Sequence, residues 1–222
     1  MYDLSHPIET DMPIYPGDPD VSVGAHATHS DEGVRVSSVA MGSHTGTHID
    51  APSHTEARGR DLDTFDVGTF EFETCVVDLD KNSREPITTD DLGEAIKAPA
   101  AEHSGSTADA DCLLLHTGWD AHWGAEKYFD HPYLTEAAAA WCADREYHVG
   151  IDALNVDPTP TEKATADEPS GFGAHHALLG ADRLIVENLR GLDEVPKRFT
   201  LYAFPLAIAA ADGAPVRAVA ST

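Results

Sequence analysis

Residues 43–54 read Ser-His-Thr-Gly-Thr-His-Ile-Asp-Ala-Pro-Ser-His. The stretch holds four side chains that can bind a metal ion or carry a proton: His44, His48, Asp50 and His54. A single α-helix would bring His44 and His48 onto one face but would turn Asp50 away, because consecutive residues are rotated by about 100°. A single β-strand would put all four on one face, yet ten residues of strand extend about 33 Å, too far for one site. The segment must therefore fold back on itself.

The same stretch contains residues that favour such bends. Gly46 can adopt backbone conformations that its β-branched neighbours cannot, and Pro52 ends regular strand pairing. Two imidazoles and a carboxylate suit zinc or a similar divalent metal, and a carboxylate can bridge two ions. A histidine cluster on a surface loop is the alternative. We favour the metal site because the stretch is poor in other charges and is interrupted by Gly and Pro where bends are needed.

A second group of candidate ligands lies near the C-terminus. His175 and His176 precede an apolar segment, residues 183–189, that is typical of a strand and contains Glu187. An unpaired carboxylate among apolar neighbours is costly, and a metal would stabilise it. A Glu on an edge strand, facing solvent, is the alternative that the sequence leaves open.

The overall charge limits the choice of partners. The 222 residues include 39 Asp and Glu against 14 Lys and Arg, a formal net charge of -25. Such a surface repels phosphate backbones and anionic lipids, which argues against nucleic acid and membrane partners. We interpret the charge as adaptation to a salty cytoplasm, that is, a halophilic protein; an acidic protein from an ordinary cell is the alternative.

The chain is expected to form one domain, residues 1–222, because no linker divides it. The three cysteines form no CxxC pair, and neither a signal peptide nor an apolar run of about 18 residues is present, so we expect a soluble cytoplasmic protein. Six short apolar runs predict strands: residues 34–41, 70–79, 112–116, 148–151, 183–189 and 200–204. Residues 89–97 and 135–145 predict helices, and residues 99–111 a solvated connection. The fold class is therefore α/β, of a mixed α+β kind.

Residues 44–54 also match the pattern HxGTHxDxPxH at every fixed position. In this the chain resembles the cyclase-like metal-dependent hydrolases, the family that includes the bacterial kynurenine formamidases. Further segments of the chain are similar to blocks of that family: residues 15–18, 113–119, 150–152, 156–158 and 175–189.

The resemblance implies a swivelling β/β/α-type cyclase-like domain in a homodimer or homotetramer, with two divalent ions, most often zinc, with manganese as an alternative. One ion would be held by His44, His48 and Asp50, and the other by Asp50, His175 and Glu187. His54 would be the proton shuttle, and Tyr15 would contact the substrate ring. The alignment alone favours His175 over His176.

The reaction implied is hydrolysis of the amide bond of N-formylkynurenine, a small-molecule substrate, by metal-activated water, giving kynurenine and formate. Two alternatives are another hydrolase of the family, opening isatin-like cyclic amides or lactones, and a non-catalytic zinc-binding protein. The chain departs from the family at Tyr15, where Trp is common, and in residues 159–173, which are longer and more acidic than expected. Both departures bear on the choice of substrate.

Overall fold

The computed structural model describes residues 1–97 and 110–222. Within them the strands are β1 Tyr2–Asp3, β2 Ser22–Ala27, β3 Val36–Ala40, β4 His48–Asp50, β5 Glu71–Asp78, β6 Pro86–Ile87, β7 Cys112–His116, β8 Tyr133–Leu134, β9 His148–Ile151, β10 Ile185–Glu187, β11 Arg198–Tyr202, β12 Gly213–Pro215 and β13 Val219–Ser221. The α-helices are α1 His29–Glu32, α2 Thr89–Lys97, α3 Glu136–Ala143 and α4 Gly173–Leu179.

A nine-stranded mixed sheet forms the centre of the fold, in the order β1-β13-β11-β5-β7-β9-β10-β4-β12. Strands β5, β7, β9 and β10 run parallel, and the strands on either side of them are antiparallel. The parallel strands are buried on both faces, which explains why β7 reads as an uninterrupted apolar run.

The sheet curls until its two ends approach each other. Strand β12, at one edge, ends at Pro215, and β13, next to the opposite edge, begins at Val219. Four residues of chain span at most about 14 Å. A hydrogen bond from Leu4 N to Ala218 O, 2.9 Å long, ties the N-terminal segment to this connection. Strand β4, which carries His48 and Asp50, pairs directly with β12 at this edge of the sheet.

Alternate side chains of the central strands enter two separate apolar clusters. Val76 and Leu114 belong to one, and Val77 and Leu115 belong to the other, which also contains residues of α2, α3 and α4. The period-2 alternation of strands explains this division. The helices therefore cover one face of the sheet, and α4 packs close to β10 on that face.

The predicted mixed fold class is confirmed, and the predicted bounds of β7, β9 and α2 agree with the structure. The strand predicted over residues 200–204 lies two residues earlier, at β11. Neither β2 nor α4 was predicted. Most of the connection expected over residues 99–111 lies outside the described residues, and the single domain stays a prediction. Among the described residues, none of the helices has the length and apolarity needed to cross a membrane.

Candidate metal centre

The segment from His44 to His54 folds back as its spacing requires. Gly46 has a φ of 64°, in the left-handed region that favours glycine. The chain then forms β4 and turns again at Pro52, which starts the 3₁₀ helix Pro52–His54. On β4, Ile49 points into the apolar core, so His48 and Asp50 share the opposite face.

Strand β10 and helix α4 bring Glu187 and His175, respectively, to this face. Glu187 is paired directly opposite His48, and the Nε2 atom of His48 lies 3.5 Å from Glu187 Oε2 and 3.2 Å from Asp50 Oδ1. His175, on α4, places its Nε2 atom 3.5 Å from Asp50 Oδ2 and 3.6 Å from Glu187 Oε1. Residues more than 120 positions apart thus meet around two buried carboxylates.

The other ring nitrogens of these two histidines fix the ring orientations. His48 Nδ1 donates to the carbonyl oxygen of Gly46 at 2.8 Å. His175 Nδ1 lies 2.7 Å from Asp157 Oδ2, and the Asp157 carboxylate also accepts the backbone N–H groups of Ala174 and His175. Both Nε2 atoms are therefore directed at the carboxylates. Such hydrogen bonds commonly orient metal-binding histidines.

His44 and His54 approach from the side that is more open to solvent. His44 Nδ1 lies 2.8 Å from Asp50 Oδ1, and its Nε2 lies 3.0 Å from Asp212 Oδ2. His54 Nδ1 lies 3.3 Å from the same Asp212 oxygen, and the two imidazole centroids are 3.9 Å apart. Nothing in the sequence pattern pointed to Asp212, which acts through contacts between distant segments. Asp157 lies in the family-like block 156–158, but no local pattern indicates a role for it.

The donor set fits a divalent cation. Asp50 is fully buried, and among the described residues its Oδ2 atom has no hydrogen-bond partner, which is costly unless a cation is bound. Burial and the charge of Asp50 raise the pKa of Glu187 to about 7. Burial lowers the pKa of His175, but its hydrogen bond to Asp157 and the nearby Asp50 and Glu187 carboxylates outweigh that effect and raise it to about 10. The cluster thus favours added positive charge.

Among the described residues, three sets of side chains could each hold an ion. One is His44, His54 and Asp212, and the other two share Asp50. Of those two, the first is His44, His48 and Asp50; the second is Asp50, His175 and Glu187. Within each set one donor atom per residue lies within 4.8 Å of the others. His176, in contrast, is exposed and pairs through Nδ1 with Glu56 Oε1 at 2.7 Å, so the structure brings His175 into the cluster and leaves His176 on the surface.

A cavity of about 120 Å³ opens onto this cluster. Tyr15 and Phe172 line it, with ring centroids 6.1 Å apart, and the Phe172 ring stands edge-on to His175 at 5.8 Å. Phe172 lies at the end of the acidic segment 159–173, next to its last residue, and directly precedes α4. The structure therefore places Tyr15 where a substrate ring could contact it and adds Phe172, which the sequence analysis missed.

A protein-family model described as a putative cyclase matches residues 2–158. This chain belongs to the cyclase family. The sequence of this chain is 31% identical to the kynurenine formamidase of Bacillus thuringiensis subsp. konkukian and 30% identical to that of Bacillus cytotoxicus. Both alignments cover 98% of this chain and 95% of the relative. These alignments extend beyond residue 158 and so include residues 175–189, which contain His175 and Glu187.

Solved structures show the same family fold. A predicted metal-dependent hydrolase from Bacillus stearothermophilus is 29% identical, with a TM-score of 0.73 over 99% of this chain and 96% of that one. Isatin hydrolase A from Ralstonia solanacearum has a TM-score of 0.81 over 99% and 90% of the two chains, and its 24% identity makes it a comparison of fold alone. The predicted family and the predicted enzyme class, a metal-dependent amide hydrolase, are confirmed.

Proposed function

We propose that this cyclase-family protein hydrolyses the formamide bond of N-formylkynurenine to give kynurenine and formate. The observation that carries the proposal is the buried cluster of imidazoles around Asp50 and Glu187 at the floor of a cavity with aromatic walls. Relatives named kynurenine formamidase, aligned over 98% of the chain, support the choice of substrate.

We propose two divalent ions, zinc in the first place and manganese as the alternative. His44, His48 and Asp50 would hold one ion, and Asp50, His175 and Glu187 the other. Mixed imidazole and carboxylate ligands suit zinc, and a shared carboxylate suits a pair of ions. A divalent ion bound there lowers the pKa of water to about 7 and polarises a carbonyl oxygen.

The remaining residues of the cavity bind the substrate and move the proton. The cavity is smaller than the roughly 300 Å³ usual for a whole small-molecule ligand, so it accommodates the formamide group while the ring extends toward Tyr15 and Phe172. His54 lines the cavity with its Nδ1 atom turned to Asp212, which leaves Nε2 to receive a proton from the attacking water. The same atom returns the proton to the departing aryl nitrogen.

Replacing His54 tests this role. We expect His54→Asn to lower kcat on N-formylkynurenine by roughly 10² to 10⁴, because proton transfer by a positioned imidazole contributes about that factor. Metal content, measured on the same samples, should not change. His29→Asn is the matched control, since His29 is exposed on α1.

Three outcomes separate the parts of the proposal. Full activity in both His54→Asn and His44→Ala would show that the site is assigned wrongly. A parent enzyme that ignores N-formylkynurenine but opens cyclic amides or lactones would exclude the named substrate and leave the family unaffected. A parent that binds zinc tightly and hydrolyses none of these compounds would favour the zinc-binding alternative.

We further propose a cytoplasmic enzyme that forms a homodimer or homotetramer. Light scattering on the purified protein in high salt measures the number of subunits directly, and a monomer there would contradict the prediction.

A further inference from the structure

Asp212 lies in the turn before β12 and contacts two of the site's imidazoles at once. Its Oδ2 atom is 3.0 Å from His44 Nε2 and 3.3 Å from His54 Nδ1. Asp212 lies 168 and 158 positions from these two partners, so no local sequence pattern marks it as part of the site.

The backbone around Asp212 is held firmly against the segment that carries these histidines. Asp212 O accepts a hydrogen bond of 2.8 Å from Ala51 N, and the next residue, Gly213, pairs with Asp50 in the sheet. A Cβ atom at Gly213 would come within 2.4 Å of His44 Cε1, so the turn can approach the ring this closely only with glycine there. The backbone that carries the Asp212 carboxylate is therefore fixed relative to both rings.

The contacts determine which nitrogen of each ring carries a proton. A carboxylate accepts hydrogen bonds and does not donate them, so the nitrogen facing Asp212 must be an N–H in both rings. For His44 this nitrogen is Nε2; Nδ1 faces the Asp50 carboxylate 2.8 Å away, and by the same rule it carries a proton until a divalent ion takes the place of that proton. For His54 it is Nδ1, which leaves Nε2 as the proton acceptor.

We propose that Asp212 is a positioning residue that holds His44 and His54 in these two tautomers through one carboxylate oxygen. It thereby presents His44 Nδ1 to the metal and His54 Nε2 to the substrate. The part that concerns His54 rests on the proposed hydrolysis; the part that concerns His44 depends only on metal binding. Removing a carboxylate that orients a metal-binding histidine in this way typically weakens metal affinity by 10-fold to 100-fold.

The tautomers can be observed without any substrate. In zinc-loaded, ¹⁵N-labelled protein, long-range ¹H–¹⁵N correlation of the imidazoles should show an Nε2–H on His44 and an Nδ1–H on His54. In Asp212→Ala, His54 should shift toward the other tautomer. A parent spectrum with Nε2–H on His54 would overturn the proposal.

Metal affinity supplies a second readout. Competition with a chelator should show zinc bound 10-fold to 100-fold more weakly by Asp212→Ala, with Asp212→Asn in between because its amide oxygen still accepts hydrogen bonds. The matched control is Asp63→Ala, since Asp63 Oδ2 accepts from Ala210 N at 3.0 Å and so supports the same turn. Equal weakening in the control would attribute the effect to the turn and overturn the role of the carboxylate.

Kinetics then separate positioning from substrate binding. Asp212→Ala should lower kcat at saturating zinc and change KM by less than about threefold, because a lost tautomer affects proton transfer more than binding. Unchanged kcat, zinc affinity and ring shifts in Asp212→Ala would refute the proposal. If N-formylkynurenine is not the substrate, the spectra and the zinc affinity still decide the question.

Discussion

At the scale of single residues, His175 and His176 are neighbours on α4 with opposite environments. Consecutive helical residues are rotated by about 100°, so one ring enters the site and the other faces solvent. His175 is 1% exposed and lies beside Asp50 and Glu187, whereas the exposed His176 pairs with Glu56.

This pair gives a prediction with a built-in control. His175→Ala should bind less zinc and lose at least about 100-fold in kcat/KM, because it removes an imidazole beside two buried carboxylates. His176→Ala should retain parental values of both, since an exposed ion pair contributes little. Metal analysis and steady-state kinetics on the two variants provide the measurement. Loss of zinc and activity in His176→Ala but not in His175→Ala would exclude His175 as a ligand.

His148, at the start of β9, predicts a loss of stability in acid. Its Nδ1 accepts the N–H of Leu184 at 2.8 Å, and burial, with a smaller effect from Arg183, lowers its pKa to about 4. The folded state therefore binds fewer protons than the unfolded state, whose histidine titrates near 6.5. The contribution, roughly 3 kcal/mol, is complete above pH 6.5 and is lost as the pH falls toward 4.

Urea unfolding between pH 7 and pH 4 measures this contribution. His148→Asn keeps a hydrogen-bond acceptor but does not titrate, so its unfolding free energy should fall less steeply with acid than that of the parent. His29→Asn, at an exposed position, serves as the control. If the unfolding free energy of the parent and of His148→Asn fell equally steeply with acid, the prediction would be contradicted.

At the scale of elements, segment 159–173 is fastened to the turn before β6 by a single arginine. Arg84 Nε lies 2.9 and 3.0 Å from the two carboxylate oxygens of Glu168, and its Nη1 donates to Thr159 O at 3.0 Å. The side chains of Arg84 and Glu168 are only 7% and 10% exposed. Because Phe172 belongs to this segment, four residues after Glu168, this ion pair also positions an aromatic wall of the cavity.

Breaking the ion pair should affect both stability and substrate binding. Arg84→Met leaves a largely buried Glu168 without its partner, so we expect about 2 kcal/mol or more of destabilisation and a several-fold higher KM. The double variant Arg84→Met/Glu168→Gln should regain part of the stability. Lys163→Met is the control, because Lys163, 67% exposed, also binds this segment to the protein. Its buried partner Asp130 keeps a hydrogen bond from Thr161 Oγ1 and the charge of Arg84 3.7 Å away, so the control should lose less stability. Urea unfolding and kinetics test the series; equal effects of Arg84→Met and Lys163→Met would contradict it.

At the scale of the whole molecule, the net charge of -25 dominates the electrostatics. The charge repels itself over about 30 Å in 0.01 M salt but over only about 3 Å in 1 M salt. We therefore expect Tm to rise clearly between about 0.01 M and 1 M KCl. Sucrose, which stabilises proteins by exclusion without screening charge, is the control. A Tm that is unchanged or lower in KCl would contradict the interpretation of the charge as halophilic adaptation.

Much of the fold and half of the site could be predicted from local patterns. An apolar run predicted β7, the pattern of residues 89–97 predicted α2, and the spacing of His44, His48 and Asp50 excluded both a single helix and a single strand. These features depend on contacts between residues close in sequence, and local chemistry reports such contacts directly.

The sequence by itself determined the chemistry of the site: imidazoles and carboxylates, a chain that bends at Gly46, and a family motif. Only the tertiary structure decided that His175 rather than His176 enters the cluster, that Glu187 pairs opposite His48, and that Asp212 contacts His44 and His54. The physical reason is that each of these contacts joins segments more than 120 positions apart. Strand register and the curl of the sheet bring them together, and no local period encodes either.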